Sequence, residues 1–222
     1  WNPGECLQAE REVLGFYLTG HPLEAFLKRT QGLGDCNLSE LAQREQDAAI
    51  VIAVGVSSIK TYNGRSGTMA FVQVEDLHGQ AEMICFAKLY AEVSELLLGD
   101  DPILVAARVD RSKDEPVLIA EAITSLDGIL PELVQEIQIT AGSIAWDEMT
   151  LARLKSMATG GDARLSFHVR LPDASLAQLI TGPCIGWNDA VKTQLDARFG
   201  PDAVLLRCKS WQPPRKQQAR RG

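Results

Sequence analysis

Eight residues between positions 60 and 113 have the types and spacing to grip a single strand of nucleic acid. Lys60, Tyr62 and Arg65 fall in or beside KTYNGRSG, a glycine-containing loop with a cation on each side of an aromatic ring. Phe71 and Gln73 share one side of the alternating run MAFVQVE, and Arg108, Arg111 and Lys113 gather at a second loop. Such a set does non-covalent chemistry: rings stack bases for about 1–3 kcal/mol each, and cations meet phosphate. A structural use is equally open, with Phe71 packed under a neighbouring domain and the charges solvating loops. Asp110, Asp114 and Glu115 offset the second group of cations.

Covalent chemistry finds no support. A phosphate-cradling GxxxxGK[ST] loop, an HExxH pair and a GxSxG elbow are all absent from the sequence. The carboxylate pairs Glu75-Asp76 and Asp100-Asp101 stand at ends of predicted elements, where Asp and Glu serve turns. His21 lies in a Gly-His-Pro turn without a nearby nucleophile, His78 in a Leu-His-Gly turn, and His168 reads as a surface strand residue. Cys6, Cys36, Cys85, Cys184 and Cys208 are far apart, with no Cys-x-x-Cys pair. They are expected to be reduced, mostly buried thiols, and neither a metal site nor a cofactor is expected.

The elements that must position the eight residues follow from hydrophobic period. Residues 50–56 (IVIAVGV), 69–75, 81–86 (AEMICF), 103–109 (ILVAARV) and 117–122 (VLIAEA) read as short strands bounded by Gly, Asn, Asp or Pro. Between the third and fourth, residues 88–97 place Leu89, Val93, Leu96 and Leu97 on one helical face. Three strands, a helix and two strands is the order of a five-stranded OB-fold barrel, which commonly binds single strands across its second and third strands. The chain thus divides into a helical connector over 1–48, an OB-fold domain over 49–125, a small α+β domain over 126–210 and a disordered basic tail over 211–222. The α+β domain reads as β-α-β-β-α-β, of split βαβ type, with strands at 136–140, 164–171, 176–180 and 203–206 and helices at 146–157 and 188–199.

Composition is that of an ordinary soluble globular protein: 45% hydrophobic, 23% charged, net charge −7 over 222 residues. No apolar run approaches the ~20 residues needed to span a bilayer, so no membrane association and a cytoplasmic location are expected. The first residues, Trp-Asn-Pro, read as the start of a fragment excised from a longer chain. Residues 49–125 carry 6 basic and 11 acidic groups, whereas residues 126–222 carry 12 and 10. An acidic barrel attracts phosphate only through local placement, which predicts weak, strongly salt-sensitive binding.

Two stretches resemble one family. EVLGFYLTGHPL (residues 12–23) is similar to the E-x-LG-x-YL-[ST]-GHPL element of bacterial replicative DNA polymerase III alpha subunits, in their C-terminal region. MAFVQVEDLHGQAEM (residues 69–83) resembles that family's MAF-x-x-x-ED-x-x-G-x-x-E-x pattern. The resemblance covers residues 10–125 well and residues 126–222 mainly in the order of elements. It implies a non-catalytic portion of a nucleotidyltransferase whose active site lies upstream. It also implies a barrel near the single-stranded template and a C-terminal domain that docks the tau subunit of the clamp loader within the polymerase III holoenzyme. No Q-x-x-[LM]-F-type clamp-binding pentapeptide is recognisable. Trp187 and Trp211 are the candidate anchors for the partner, since aromatic residues are enriched among interface hot spots. A barrel used only for protein docking and an anticodon-type RNA-binding barrel are the competing readings.

Overall fold

The computed structural model describes residues 22–112, 115–141, 152, 156, 160–170 and 175–213. The first 21 residues of the expected helical connector, with Cys6 and His21, lie outside them, as do Lys113 and the basic residues after Pro213. The chain opens with α1 (Pro22–Arg29), the two-residue strand β1 (Thr30–Gln31) and a 3₁₀ helix over Leu38–Gln43. The barrel follows: β2 (Ala49–Gly64), β3 (Gly67–Glu75), β4 (Gln80–Cys85), α2 (Ala87–Leu98), β5 (Ile103–Asp110) and β6 (Val117–Ser125). These five strands close in the order β2-β3-β4-β6-β5, the last gap sealed by parallel pairing of β4 with β6. The expected OB barrel is therefore the observed one.

Alternation fills it. Ile50, Ile52, Val54, Ala70, Val72, Val74, Met83, Cys85, Ile103, Val105 and Leu118 point inward and are buried together, and Leu89 and Leu97 of α2 plug the structure from one end. Each fully buried aliphatic side chain contributes about 1.5–3 kcal/mol, and closure leaves no strand edge to pair elsewhere.

The first strand is longer than its sequence suggests. It runs to Gly64, so Lys60 and Tyr62 stand in a paired hairpin arm rather than a loose loop, and only Arg65 and Ser66 turn the corner. A register shift between Val56 and Ser58 lets β2 pair first with β5 and then with β3. Ser57 Oγ donates to the Gln73 carbonyl across the bulge at 3.1 Å. Bulges sharpen strand bend and twist, which is what turns one strand from one sheet wall to the next.

The second layer is a sheet of β7 (Val134–Ala141), β8 (Ala163–Arg170), β9 (Leu176–Ile185) and β10 (Val204–Cys208), with β1 on its edge, in the order β1-β10-β7-β8-β9. A helix over Asp189–Phe199 precedes β10, with Asn188 Oδ1 accepting from the Val191 N–H at its start. Because β7 and β8 pair directly and in parallel, nothing splits the βαβ unit, and the expected split arrangement is corrected. Ala152 and Ser156, between those strands in sequence, are helical. Residues 126–133 form a further helix, α3 (Leu126–Leu133), beyond the elements expected; the Asn188-capped helix is α4. Leu126, Leu130 and Leu133 bury its inner face despite Gly128 and Pro131.

The two layers share a core. Outward-facing Val51, Ala53, Leu104 and Ala106 of the barrel are buried with Leu23, Leu126, Leu130, Ile137, Ile139, Phe167, Leu195 and Leu206. Asp35 pins the joint: its Oδ2 accepts from the Val51 N–H at 2.9 Å, its N–H donates to the Val51 carbonyl at 2.8 Å, and Ser210 Oγ donates to Oδ1 at 3.3 Å. Gly32, at φ +86°, lets β1 lie so close to β10 that a Cβ there would fall 2.5 Å from the Cys208 carbonyl oxygen. Only glycine adopts that backbone without strain.

Candidate nucleic-acid interface

Cross-strand register lines up the outer face of the barrel in rows. Lys60 pairs with Phe71, Phe71 with Ile84, Ile84 with Ile119, and Ile119 with Arg108. Ala70, Val72 and Val74 on β3 and Met83 and Cys85 on β4 are buried inside, so the residues alternating with them face out. Phe71 and Ile84 are half-buried and join neither hydrophobic core. Phe71 is thus not packed beneath the second domain.

The next row is Tyr62 with Met69, and Phe86 extends it one residue beyond Cys85, the partner of Ala70. Tyr62 is 62% exposed and Phe86 52%. Met69 is therefore ringed by three aromatics, Tyr62 across one strand, Phe86 on the other side and Phe71 two residues along. The row on the far side of Phe71 holds Ser58, Gln73 and Glu82.

The cations divide by what already holds them. Lys60 and Arg65 are exposed and enter no ion pair among the described residues. Arg108 Nε contacts Glu121 Oε1 at 2.7 Å, an exposed pair worth about 0–1 kcal/mol that also neutralises the charge. Arg111 donates from Nη1 to the Arg44 carbonyl at 3.2 Å and from its backbone to Gln46 Oε1 at 2.6 Å. Arg108 is thus matched by a carboxylate, and Arg111 ties its loop to the connector.

The end of the wall near Arg111 is acidic. A cleft of about 830 Å³ lies there, bounded by the 3₁₀ helix, the start of β4 and the loop before β6; Gln73, Glu82, Glu115 and Val117 are among its lining residues. Asp76 organises this end. Its Oδ1 accepts from His78 N–H (2.7 Å) and Gly79 N–H (2.9 Å), and its Oδ2 from Leu38 N–H (2.7 Å). The carboxylate is fully occupied as a turn clasp, the role its position implied.

In the second layer the two expected partner anchors are inside. Trp187 is 7% exposed and Trp211 6%, both in the shared core, so neither offers a ring to a partner. His168, expected on the surface, is half-buried, and its Nε2 is buried without a hydrogen-bond partner. Glu136 is held below the usual carboxylate range. Its partial burial pushes the other way, but hydrogen bonds from Ser166 (2.5 Å) and Gln138 (3.2 Å) and the charges of Arg207 and Arg164 outweigh it. Burial pushes the Cys85 thiol up to about 11 and the Cys208 thiol to about 12, and Cys36 upward as well. Thiols so shifted are not nucleophiles at neutral pH. The described residues hold no group of three or more His, Cys, Asp or Glu arranged for a metal, and none of their helices is long and apolar enough to cross a membrane.

Alternation in MAFVQVE already puts Met69 beside Phe71 and Gln73, but sequence reasoning missed Ile84 and Phe86 as parts of this face. Outward alternation of AEMICF from buried Met83 and Cys85 was the available signal; the helix start at Ala87 obscured it.

A barrel of this topology with an aromatic and cationic outer wall is an OB fold, and residues 50–126 match the family model described as an OB-fold nucleic acid binding domain. The wider chain is similar to DNA polymerase III subunit alpha from several bacteria. Against that of Thermus aquaticus it is 28% identical over 205 residues, 90% of this chain and 16% of the relative. Against Vibrio cholerae it is 29% identical over 216 residues, 93% and 18%. Against Neisseria meningitidis serogroup A it is 32% identical over 111 residues, 50% and 9%. The resemblance read from residues 12–23 and 69–83 is thereby upheld, and the chain spans less than a fifth of the length of these relatives. A small single-stranded DNA-binding protein from Streptomyces coelicolor overlaps 37% of this chain and 95% of its own, at 17% identity and a TM-score of 0.32, too little superposition to bear on function.

Proposed function

We propose that this chain is a non-catalytic module of a replicative DNA polymerase whose barrel holds single-stranded template weakly. One observation carries the reading. The β3–β4 wall stays open while the β2–β5 wall is covered, and the acid-free stretch 57–74 puts Lys60, Arg65, Tyr62 and Phe71 on the open side. Phe71 stacks a base, Tyr62 flanks it, and Lys60 and Arg65 meet phosphate, with Gln73 at the border of the acidic end. No polymerisation chemistry is assigned to these residues. Fluorescence anisotropy with labelled oligo-dT and with duplex DNA tests this. Salt-sensitive binding that prefers the single strand is expected; indifference to strandedness, or no binding, would overturn it.

The second half of the proposal is that the β7–β10 sheet docks a clamp-loader subunit of the tau type. With Trp187 and Trp211 buried, the surface supporting it is the edge strand β9, where the adjacent residues Leu179 and Ile180 are both exposed. Titration against the cognate tau C-terminal domain is expected to lose affinity on Ile180→Asp. Unaltered affinity removes this edge from the interface.

A further inference from the structure

The open wall is polarised along its strands, and the polarity says where a bound strand runs. Residues 57–74 carry two cations and no acid, and residues 83–91 carry Lys88 and no acid. These two stretches meet at one end of the barrel: Gly67, beside the hairpin tip, sits so near the start of α2 that a Cβ there would lie 3.2 Å from the Ala87 Cβ. Phe86 and Lys88 flank that contact, both exposed. At the opposite end lie Glu75, Asp76, Glu82, Asp110 and Glu115, and Glu82 and Glu115 line the cleft there. Phosphate approaching that cleft meets carboxylates, while phosphate approaching the hairpin end meets Lys60, Arg65 and Lys88.

Ring spacing agrees. Two interstrand spacings separate Tyr62 from Phe86, about 10 Å, and Phe71 lies about 7 Å along β3 from the Met69 row. Three platforms around one methionine offer successive bases a surface without demanding a sequence.

We propose that single-stranded DNA crosses the hairpin end of the open wall, from Lys60 and Tyr62 over Phe71 to Phe86 and Lys88, and does not enter the acidic cleft beside the loop between β5 and β6. The proposal rests on the reading that the barrel binds single-stranded DNA. It adds Phe86 as a stacking residue and Lys88 as a phosphate contact, and it excludes a surface that the barrel's loops would otherwise suggest.

Anisotropy with labelled oligo-dT and the whole 222-residue chain tests it. Phe86→Leu keeps the apolar side chain and removes the ring, so it is expected to weaken binding by about fivefold or more, whereas Phe86→Tyr retains affinity. Lys88→Ala is expected to lower the slope of log affinity against log salt by about one unit, and Arg111→Ala to leave it unchanged. Full affinity in Phe86→Leu alongside a weakened Phe71→Ala would keep the barrel as a binder and overturn this path. A loss on Arg111→Ala equal to that on Lys88→Ala would route the strand into the cleft and overturn it likewise. No binding by the unaltered chain would overturn both the reading and the path. Circular dichroism of each variant separates a binding loss from a folding loss.

Discussion

On the β2–β5 wall of the barrel the outward residues Val51, Ala53, Leu104 and Ala106 are buried under a second layer; on the β3–β4 wall the outward residues Met69, Phe71 and Ile84 are half-exposed and Phe86 more than half. The covered wall is written as continuous apolar runs, IVIAV and ILVAA, because both faces of those strands meet protein. The open wall alternates, and its outer positions mix aromatic, sulfur and amide groups. A barrel strand therefore declares through its outward positions whether it is to be covered or to recognise something.

The largest effect expected from this contrast is on stability. Leu104→Ala removes a fully buried side chain from the covered wall and should cost about 2–5 kcal/mol, while Ile84→Ala on the open wall should cost about 1 kcal/mol. Urea unfolding of the two variants measures the difference, and equal costs would erase the distinction between the walls. Next in size is the response to alkali. Cys85 and Cys208 have folded-state pKa values raised from 9.0 to about 11 and about 12. Their contribution is fully present below pH 9, where both states are protonated, and is lost as pH rises toward 11 and 12 because the unfolded chain ionises first. Cys85→Ala should flatten that loss by an amount on the order of 2 kcal/mol, read from denaturation midpoints across this range.

Smaller effects sharpen the functional half. Phe71→Ala should cost about 1–3 kcal/mol of affinity for oligo-dT and little stability, in contrast to Leu104→Ala. Lys60→Ala, the mildest change, should leave stability within about 0.5 kcal/mol and take about one unit from the salt slope. A stability loss in Lys60→Ala matching that of Leu104→Ala would mean the hairpin arm is structural.

Much of this was readable from residue order. Period-two runs located all five barrel strands, and Leu89, Val93, Leu96 and Leu97 located the plugging helix, because a closed barrel enforces inside–outside alternation strand by strand. Asp76, at the end of a strand-like run, reads as a turn residue and clasps the turn at His78 and Gly79. What escaped depends on contacts between distant segments. Nothing local announces that Trp187 and Trp211 meet in one core, that Arg108 faces Glu121, or that Arg111 reaches the Arg44 carbonyl. Residues 57–64 contain Asn, Gly and two serines and read as a loop, yet pairing with β3 holds them extended. Gly128 and Pro131 hid α3, whose leucines are nevertheless one turn apart and buried in the core that the barrel shares with the sheet.

The pairing of β1 with β10 has a consequence for biosynthesis. Thr30 lies opposite Leu206 and Gln31 opposite Arg207, so the barrel is an excursion made between two strands of a single sheet. A ribosome delivers the barrel complete before it delivers β10, and at about 5–20 residues per second the remaining chain takes roughly 4–17 s. Until the rest of the sheet arrives, Val51, Ala53, Leu104 and Ala106 lack much of the cover they have in the finished fold, and β1 has no β10 to pair with. The nascent chain thus passes through a folded barrel with one sticky flank, the species that a chaperone would meet and that a message stalled after residue 125 would release.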